Sequence, residues 1–319
     1  LWRVTGVQTC ALPISHMFAC DLHTHTIRSD GHMTPIESID RAASLGLKVM
    51  AITDHDMTLP AIWKGIDLVS YGAEKGIRLL PGIEVSCDTW NDDVHIIGLY
   101  CNWDDPSFAD LEHGVQTSRM ESYQEMIRKM AKAGYQVSWQ EVLEHAGKTD
   151  CPETVQKKSV YELLAAKGYA VDWAKAKRLV QSVPEFQTNR EKPDPVKIIQ
   201  LLHKTGGIAI MAHPFLVKEH PPYQGKTMTR FQYMDMLVDA GLDGIEASYT
   251  YDKSSYAGRN SKAELEQQIR SRYQSKGIFF SGGSDFHGDQ KTGIPNPREL
   301  GECGVTYQYY TQHIEKLRK

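Results

Sequence analysis

The chain has 319 residues, of which 41% are hydrophobic and 24% charged, and its formal net charge is −4. This composition is that of a folded globular protein, and the absence of a long lysine and arginine block disfavours a partner such as duplex nucleic acid. No apolar run reaches the roughly 18 residues of a spanning helix, so we expect no membrane partner and a cytoplasmic location. The six cysteines are scattered without a C-x-x-C pair, and we expect them to be reduced.

The first sixteen residues do not resemble the start of a domain. Residues 1–15 read LWRVTGVQTCALPIS, which lacks the charged start and the sustained apolar run of a signal peptide. We therefore expect residues 1–16 to be a non-native or disordered leader, and the first domain to begin near Met17.

From Met17 onward, short β-type segments alternate with helical segments, which is the pattern of a parallel sheet with crossover helices. The first predicted helix opens with Thr34-Pro35 and has Glu37 three residues after Thr34, as in a capping box. The strands predicted in this half are 18–22, 48–53, 77–83 and 94–100, and the helices are 34–45 and 60–75.

The alternation stops between residues 102 and 193. This stretch contains a long polar helix and several shorter ones but no convincing strand, so we predict an inserted helical domain that ends in a charged, proline-rich linker at 184–195. The alternation then resumes, which assigns 17–101 and 194–319 to one α/β domain. The strands predicted in the second half are 207–212, 242–247 and 278–281, and the helices are 195–204, 230–240 and 260–275.

Histidines and carboxylates collect at the ends of the predicted strands. His23 and His25 are two residues apart on an extended segment, which is a chelating spacing, and Asp30 follows in a turn. The carboxyl ends of barrel strands face one common mouth, so residues placed there in numbers are expected to be metal ligands. His95, which lies early in its strand, fits this rule least well. The residues at or just past strand ends are His23, His25, His55, Glu84, His213, Asp285 and His287.

These motifs together resemble the PHP family, the polymerase and histidinol phosphatase group of metal-dependent phosphoesterases. The resemblance implies a distorted (β/α)7 TIM-like barrel with a small inserted helical domain, and a centre of three divalent metal ions. Mixed histidine and carboxylate ligands suit manganese, zinc or iron. The motifs that carry the resemblance are HTH at 23–25, Asp30, TDHD at 53–56, GIE at 82–84, VHIIG at 94–98, AHP at 212–214 and GGSDFHG at 282–288.

The resemblance also implies which residues hold each metal. Glu84 would be shared by two of the ions, and no ligand of the family set is missing from this chain. The implied sets are His23, His25, Glu84 and Asp285 for the first metal, Glu84, His95 and His213 for the second, and Asp30, His55 and His287 for the third.

Glu84 and Asp54 are the predicted catalytic residues. Two metals bridged by Glu84 would lower the pKa of a shared water and supply hydroxide as the nucleophile. Asp54 would either protonate the leaving alkoxide or orient a ligand imidazole through a hydrogen bond.

The helical insertion resembles the lid of a branch that acts on nucleotides and RNA. That branch has a Gly-Arg-Pro-His segment whose arginine and histidine contact phosphate, whereas here the corresponding region reads KKSVY at 157–161. Phosphate contacts must therefore come from other residues, and each cation proposed for this role could instead be a solvated surface charge. The candidate substrate contacts are Arg119, Lys157, Lys158, Tyr249 and Arg259.

We expect a metal-dependent hydrolase of phosphate esters on a small phosphorylated metabolite, such as a sugar phosphate, a cyclic phosphate or a nucleotide bisphosphate. One alternative is a 5′-to-3′ exonuclease on short RNA, for which the missing basic stripe is mild negative evidence. Another is a metal-binding regulatory protein without turnover, which would usually have lost ligands. No obligate protein partner is indicated.

Overall fold

The computed structural model describes residues 18–91, 93–288 and 297–317, so the predicted leader lies outside the described residues. The strands are β1 (Cys20–Asp21), β2 (Val49–Ile52), β3 (Ile62–Trp63), β4 (Ile66–Asp67), β5 (Arg78–Ser86), β6 (His95–Leu99), β7 (Ile208–Met211), β8 (Pro222–Tyr223), β9 (Lys226–Thr227), β10 (Gly244–Ser248) and β11 (Phe279–Gly282). The helices are α1 (Pro35–Ser44), α2 (Leu68–Glu74), α3 (Pro106–Lys132), α4 (Trp139–Ala146), α5 (Lys157–Ala166), α6 (Trp173–Ser182), α7 (Pro195–Lys204), α8 (Arg230–Asp239), α9 (Lys262–Tyr273) and α10 (Tyr307–Tyr309).

The chain divides into two compact units. The first contains the residues up to Asp54, Leu59–Ile83 and the residues from Asp243 onward, and the second contains His55–Thr58 and Glu84–Leu242. None of the helices in the described part of the chain combines the length and the apolar character that crossing a membrane requires.

The first unit contains parallel strand pairs with helices between them. β2 pairs with β1 on one side and with β5 on the other, and β10 pairs with β11, all in parallel. All four residues of β2 are buried, as expected for a strand covered on both faces. Helix α1 begins with the predicted capping box, because Thr34 Oγ1 accepts the Glu37 N–H and Glu37 accepts the Thr34 N–H. The core of this unit includes Ile39, Ala42, Leu47, Met50, Ile52, Leu68, Ile77, Leu79 and Phe286.

The predicted helix at 60–75 is wrong in its first half. Residues 62–67 form an antiparallel hairpin of β3 and β4, and helix α2 begins only at Leu68. The hairpin turns at Lys64 and Gly65, whose φ angles of 48° and 83° are those of a two-residue turn that matches strand twist. Asp67 then caps α2 by accepting the Ser70 N–H at 2.7 Å.

The second unit departs from the predicted parallel pattern. β6 and β7 pair antiparallel, with Ile96 opposite Met211 and Leu99 opposite Ile208. The chain between them is a helical segment of about a hundred residues rather than one crossover helix, so no rule forces the parallel direction. A second short hairpin, β8 and β9, was not predicted, and it turns at Gln224 and Gly225, which again have positive φ.

The predicted helical stretch is present as α3 to α6. Helix α3 extends over 27 residues from its cap at Asp105. Buried side chains of these helices, together with Phe186, form a core that includes Met126, Met130, Val142, Val160, Leu164 and Val180. The assignment of 102–193 to a separate inserted domain stays a prediction, because the compact unit that holds these helices also holds β6, β7, α7 and α8.

Candidate metal centre

The first ligand cluster lies in the first unit, on the loops that follow β1 and β11. Asp285 Oδ1 lies 3.0 Å from His25 Nε2 and 3.6 Å from His23 Nε2. One ligand atom from each of these three buried residues lies within 4.8 Å of the other two. The spacing is therefore that of three ligands of one metal ion.

Asp30 and His287 also lie beside this cluster. His287 Nε2 is 3.1 Å from Asp30 Oδ1, and its Nδ1 is 3.6 Å from Asp285 Oδ1. The loop that carries Asp30 folds back against His25, and Gly31 permits this close approach because a Cβ there would lie 2.8 Å from the His25 backbone. The structure thus brings together the five candidate ligands of the first unit.

The second oxygen of Asp285 is held by other side chains. The Tyr249 hydroxyl donates to Asp285 Oδ2 at 2.7 Å, and the Arg298 guanidinium forms an ion pair with the same oxygen. Burial alone would raise the pKa of Asp285, but the charges of His287, His23 and Arg298 hold it well below its usual range. Tyr249 is 1% exposed and is a buried partner of Asp285, and its assignment as a substrate contact stays a prediction.

A buried glutamate that sequence reasoning did not assign to the site orients His23. Glu246 Oε1, in the middle of β10, lies 3.1 Å from His23 Nδ1, and both side chains are fully buried. Such a partner fixes the ring so that Nε2 faces the cluster. Glu246 lies one residue before the end of the predicted strand 242–247, so the rule that found the other ligands could also have found it.

Asp54 anchors the loop between His25 and Asp30. Its carboxylate accepts the Thr26 N–H, the Thr26 hydroxyl and the Ser29 hydroxyl, each at 2.7 Å. Asp54 is fully buried, and these donors occupy both of its oxygens. These contacts place the ligand loop, and the two predicted roles of Asp54, as a general acid or as the partner of a ligand imidazole, stay predictions.

The second cluster lies in the second unit and is centred on Glu84, which is fully buried near the end of β5. Its Oε2 lies 2.9 Å from His55 Nδ1, and its Oε1 lies 2.8 Å from His95 Nδ1 and 3.0 Å from His213 Nε2. Ligand atoms of His55, Glu84 and His95 lie within 4.8 Å of one another. This arrangement could also hold a metal.

The antiparallel direction of β6 explains the irregular position of His95. His95 is the first residue of β6, and its carbonyl accepts the Ala212 N–H at 3.1 Å, next to His213. The amino end of an antiparallel strand lies beside the carboxyl end of its neighbour, so His95 reaches the cluster from the opposite end of its strand. Burial lowers the pKa of His95 although Glu84 opposes the shift, and the neutral imidazole is the form that binds metal.

The donor atoms of both clusters fit divalent transition metals. Each cluster combines imidazole nitrogens with carboxylate oxygens, a set that suits manganese, zinc and iron better than the all-oxygen shells of magnesium or calcium. Each cluster includes a buried carboxylate, Asp285 or Glu84, and a bound cation would balance its charge.

The predicted phosphate contacts have different surroundings. Lys158 is exposed, lies 3.3 Å from Glu162 and stacks over the Trp173 ring, and Arg259 is also exposed. Lys157 is half-buried at the start of α5. Arg119, on α3, is only 8% exposed, so it is not a solvated surface charge.

Comparison with known proteins gives a consistent result. A model of the PHP domain family matches residues 21–183, just over half of the chain. The chain is 27% identical over 270 residues to the 3′,5′-nucleoside bisphosphate phosphatase of Chromobacterium violaceum, covering 84% of this chain and 86% of that protein. It is also 27% identical over 270 residues to a 5′-3′ exoribonuclease of Haemophilus influenzae, covering 84% and 89% of the two chains.

A solved structure has the same fold. A proposed metal-dependent phosphoesterase from Bifidobacterium adolescentis matches 93% of this chain and 96% of its own, with 22% identity and a TM-score of 0.67. The likeness confirms the predicted α/β fold class. The chain belongs to the PHP domain family and is a metal-dependent phosphoesterase.

Proposed function

We propose that this enzyme hydrolyses phosphate esters of a small phosphorylated metabolite, such as a sugar phosphate, a cyclic phosphate or a nucleotide bisphosphate. The observation that carries the proposal is the placement of nine candidate ligands in two clusters, in which every imidazole lies close to a carboxylate. The nine are His23, His25, Asp30, Asp285 and His287 around Asp285, and His55, Glu84, His95 and His213 around Glu84.

Three divalent ions are proposed for these ligands, and the family resemblance assigns Glu84 to two of them. When bound, such metals lower the pKa of a coordinated water to supply the nucleophile, and they neutralise charge on the phosphoryl group. The protein's own side chains hold the metal ligands in position. Glu246 fixes the His23 ring, Tyr249 and Arg298 hold one oxygen of Asp285, and Asp54 holds the loop that carries Asp30.

The second candidate function is 5′-to-3′ exonuclease activity on short RNA. It is favoured by the Haemophilus influenzae relative, which is as similar to this chain as the bisphosphate phosphatase is. Against it stand the formal net charge of −4 and the absence of a long basic block in the sequence.

Turnover measurements separate these functions. The manganese-loaded protein is assayed with a chromogenic phosphate monoester, a chromogenic diester, phosphorylated sugars, nucleoside bisphosphates and oligoribonucleotides of several lengths. We expect kcat/KM to be highest for a compact phosphorylated metabolite. If kcat/KM is at least tenfold higher for oligomers longer than a few nucleotides, the first function is wrong and the exonuclease activity takes its place.

A further inference from the structure

Asp21, the last residue of β1, is fully buried and belongs to neither ligand cluster. Its Oδ1 accepts the Ser284 N–H at 3.0 Å and the His23 N–H at 3.3 Å. Its Oδ2 accepts the Ser284 hydroxyl at 2.5 Å and the Gly301 N–H at 2.8 Å. All four partners are donors, so both oxygens of Asp21 act as acceptors, which is what a buried carboxylate requires.

These four hydrogen bonds join three segments of the chain that meet at Asp285. The first segment follows β1 and carries His23, and the second follows β11 and carries Asp285 itself. The third contains Gly301 and, three residues earlier, Arg298. The Arg298 guanidinium donates to the Asp285 carbonyl at 2.8 Å and forms the ion pair with its Oδ2. Asp21 therefore connects the backbones that carry His23, Asp285 and Arg298.

Asp285 has a backbone conformation that is uncommon for a residue other than glycine. Its φ angle is 53°, and such a conformation persists only where the surrounding structure holds it. The preceding residue, Ser284, is held by its two bonds to Asp21, and its carbonyl accepts the Thr250 hydroxyl at 3.0 Å. Without the bonds to Asp21, we expect Asp285 to relax toward a commoner conformation and to turn its carboxylate away from the histidines.

The backbones of His23 and Asp285 are also in direct contact. The Asp285 N–H donates to the His23 carbonyl at 2.9 Å, and a Cβ added to Gly283 would lie 2.3 Å from the His23 Cβ. A single oxygen of Asp21 accepts from His23 and from the residue before Asp285, so it sets the relative position of two candidate ligands. Metal–ligand distances vary by only about 0.2 Å, so a small shift of either backbone should weaken metal binding.

We propose that Asp21 is a positioning residue for the ligand cluster around Asp285, and that it acts through the backbones of His23 and Ser284 rather than by binding a metal. This inference rests on the proposed function, which assigns His23 and Asp285 to a metal. Ligands that are already held in place bind a metal more tightly, because less order has to be created on binding. Loss of Asp21 should therefore weaken metal binding around Asp285, whereas binding around Glu84 should keep its affinity.

The test is a calorimetric titration of the metal-free protein with manganese, carried out on the wild type and on Asp21→Asn. Asparagine keeps the shape of the side chain, but its amide places a donor against N–H groups that need an acceptor. We expect at least one manganese equivalent to bind about 10- to 100-fold more weakly in the variant. At least one other equivalent should keep its wild-type affinity.

Ser284→Ala is a milder variant, and it decides the question if Asp21→Asn does not fold. It removes the hydroxyl that donates to Asp21 Oδ2 and keeps the three N–H donors. We expect the same manganese equivalent to bind about fivefold more weakly, as the loss of one hydrogen bond predicts.

Asp40→Asn is the matched control, because it makes the same change of side chain at a site on the surface of α1. The Asp40 side chain is 44% exposed and lies 2.9 Å from Lys75. All manganese affinities of this variant should stay within about twofold of the wild type, because an exposed ion pair contributes little.

Thermal unfolding of the metal-free proteins distinguishes positioning from a general contribution to stability. A lowered melting temperature with unchanged manganese affinity in Asp21→Asn would overturn the positioning role, and so would unchanged affinity in Ser284→Ala if Asp21→Asn does not fold. Equal weakening of every manganese equivalent would also overturn it, because that result indicates a general loosening of the structure. A wild-type protein that binds no manganese would instead overturn the metal centre of the proposed function.

Discussion

The two ligand clusters are built differently. Around Asp285, the carboxylate that faces the imidazoles is itself held by Tyr249 and Arg298, and His23 is held by Glu246. Around Glu84, one carboxylate lies within 3.0 Å of three imidazoles, those of His55, His95 and His213. In the first cluster, several side chains hold the ligands in place, whereas in the second cluster Glu84 alone contacts all three imidazoles. Substitutions should therefore have graded effects in the first cluster and large ones in the second.

Removing the metals should have the largest effect, because it acts on both clusters. Dialysis against a chelator is expected to abolish phosphoesterase activity, and manganese should restore it. Metal analysis after manganese-supplemented expression should find more than two equivalents per chain. One equivalent or fewer would contradict the proposal of three ions.

Replacing Glu84 should be the most severe single substitution. Glu84→Gln keeps the shape of the side chain but removes the charge shared by three imidazoles, so we expect kcat to fall by at least about 100-fold. His55→Ala and His95→Ala should each lose less, since the other two imidazoles keep their carboxylate. Equal and mild losses of kcat in all three variants, measured at saturating manganese, would contradict the central role of Glu84.

An intermediate effect is expected at Glu246. Glu246→Gln should lower metal affinity by about 10- to 100-fold, because a neutral amide holds the His23 imidazole less firmly. Titration of the metal-free protein with manganese measures this directly, and activity should recover when manganese is raised. Asp252→Asn is a suitable control, since Asp252 is exposed and pairs with Lys262 at 3.2 Å.

Much of this site could be predicted from the sequence because strand ends are easily recognised. His23, His55, Glu84, His213 and Asp285 each follow or end an apolar run of clear β type, and the structure places them accordingly. Arg298, which supports Asp285 without being a candidate ligand, carries no such signal. Arg298 lies beyond the last strand, and its pairing with Asp285 depends on how a distant loop returns.

The errors in the fold have similarly local causes. The hairpin at 62–67 replaced a predicted helix because a two-residue turn at Lys64-Gly65 decided the backbone direction, and the glycine alone did not reveal it. The antiparallel direction of β6 could not be predicted from its composition, because parallel and antiparallel buried strands have the same apolar pattern. His95 was recognised as a ligand from the family motif and not from its position in the strand.

The smallest effect should be that of Tyr249→Phe, which tests whether Tyr249 acts on Asp285 or on the substrate. The substitution removes one hydrogen bond to Asp285 Oδ2, while Arg298 remains on the same oxygen. A net loss of about 1 kcal/mol in holding the ligand corresponds to a reduction in metal affinity of about fivefold. At saturating manganese the KM for substrate should be unchanged, because the ring is buried and the hydroxyl already has a partner. Manganese titration and steady-state kinetics on the same samples distinguish the two roles. A raised KM with unaltered metal affinity would indicate that Tyr249 contacts the substrate. It would also mean that Arg298 alone suffices to hold Asp285.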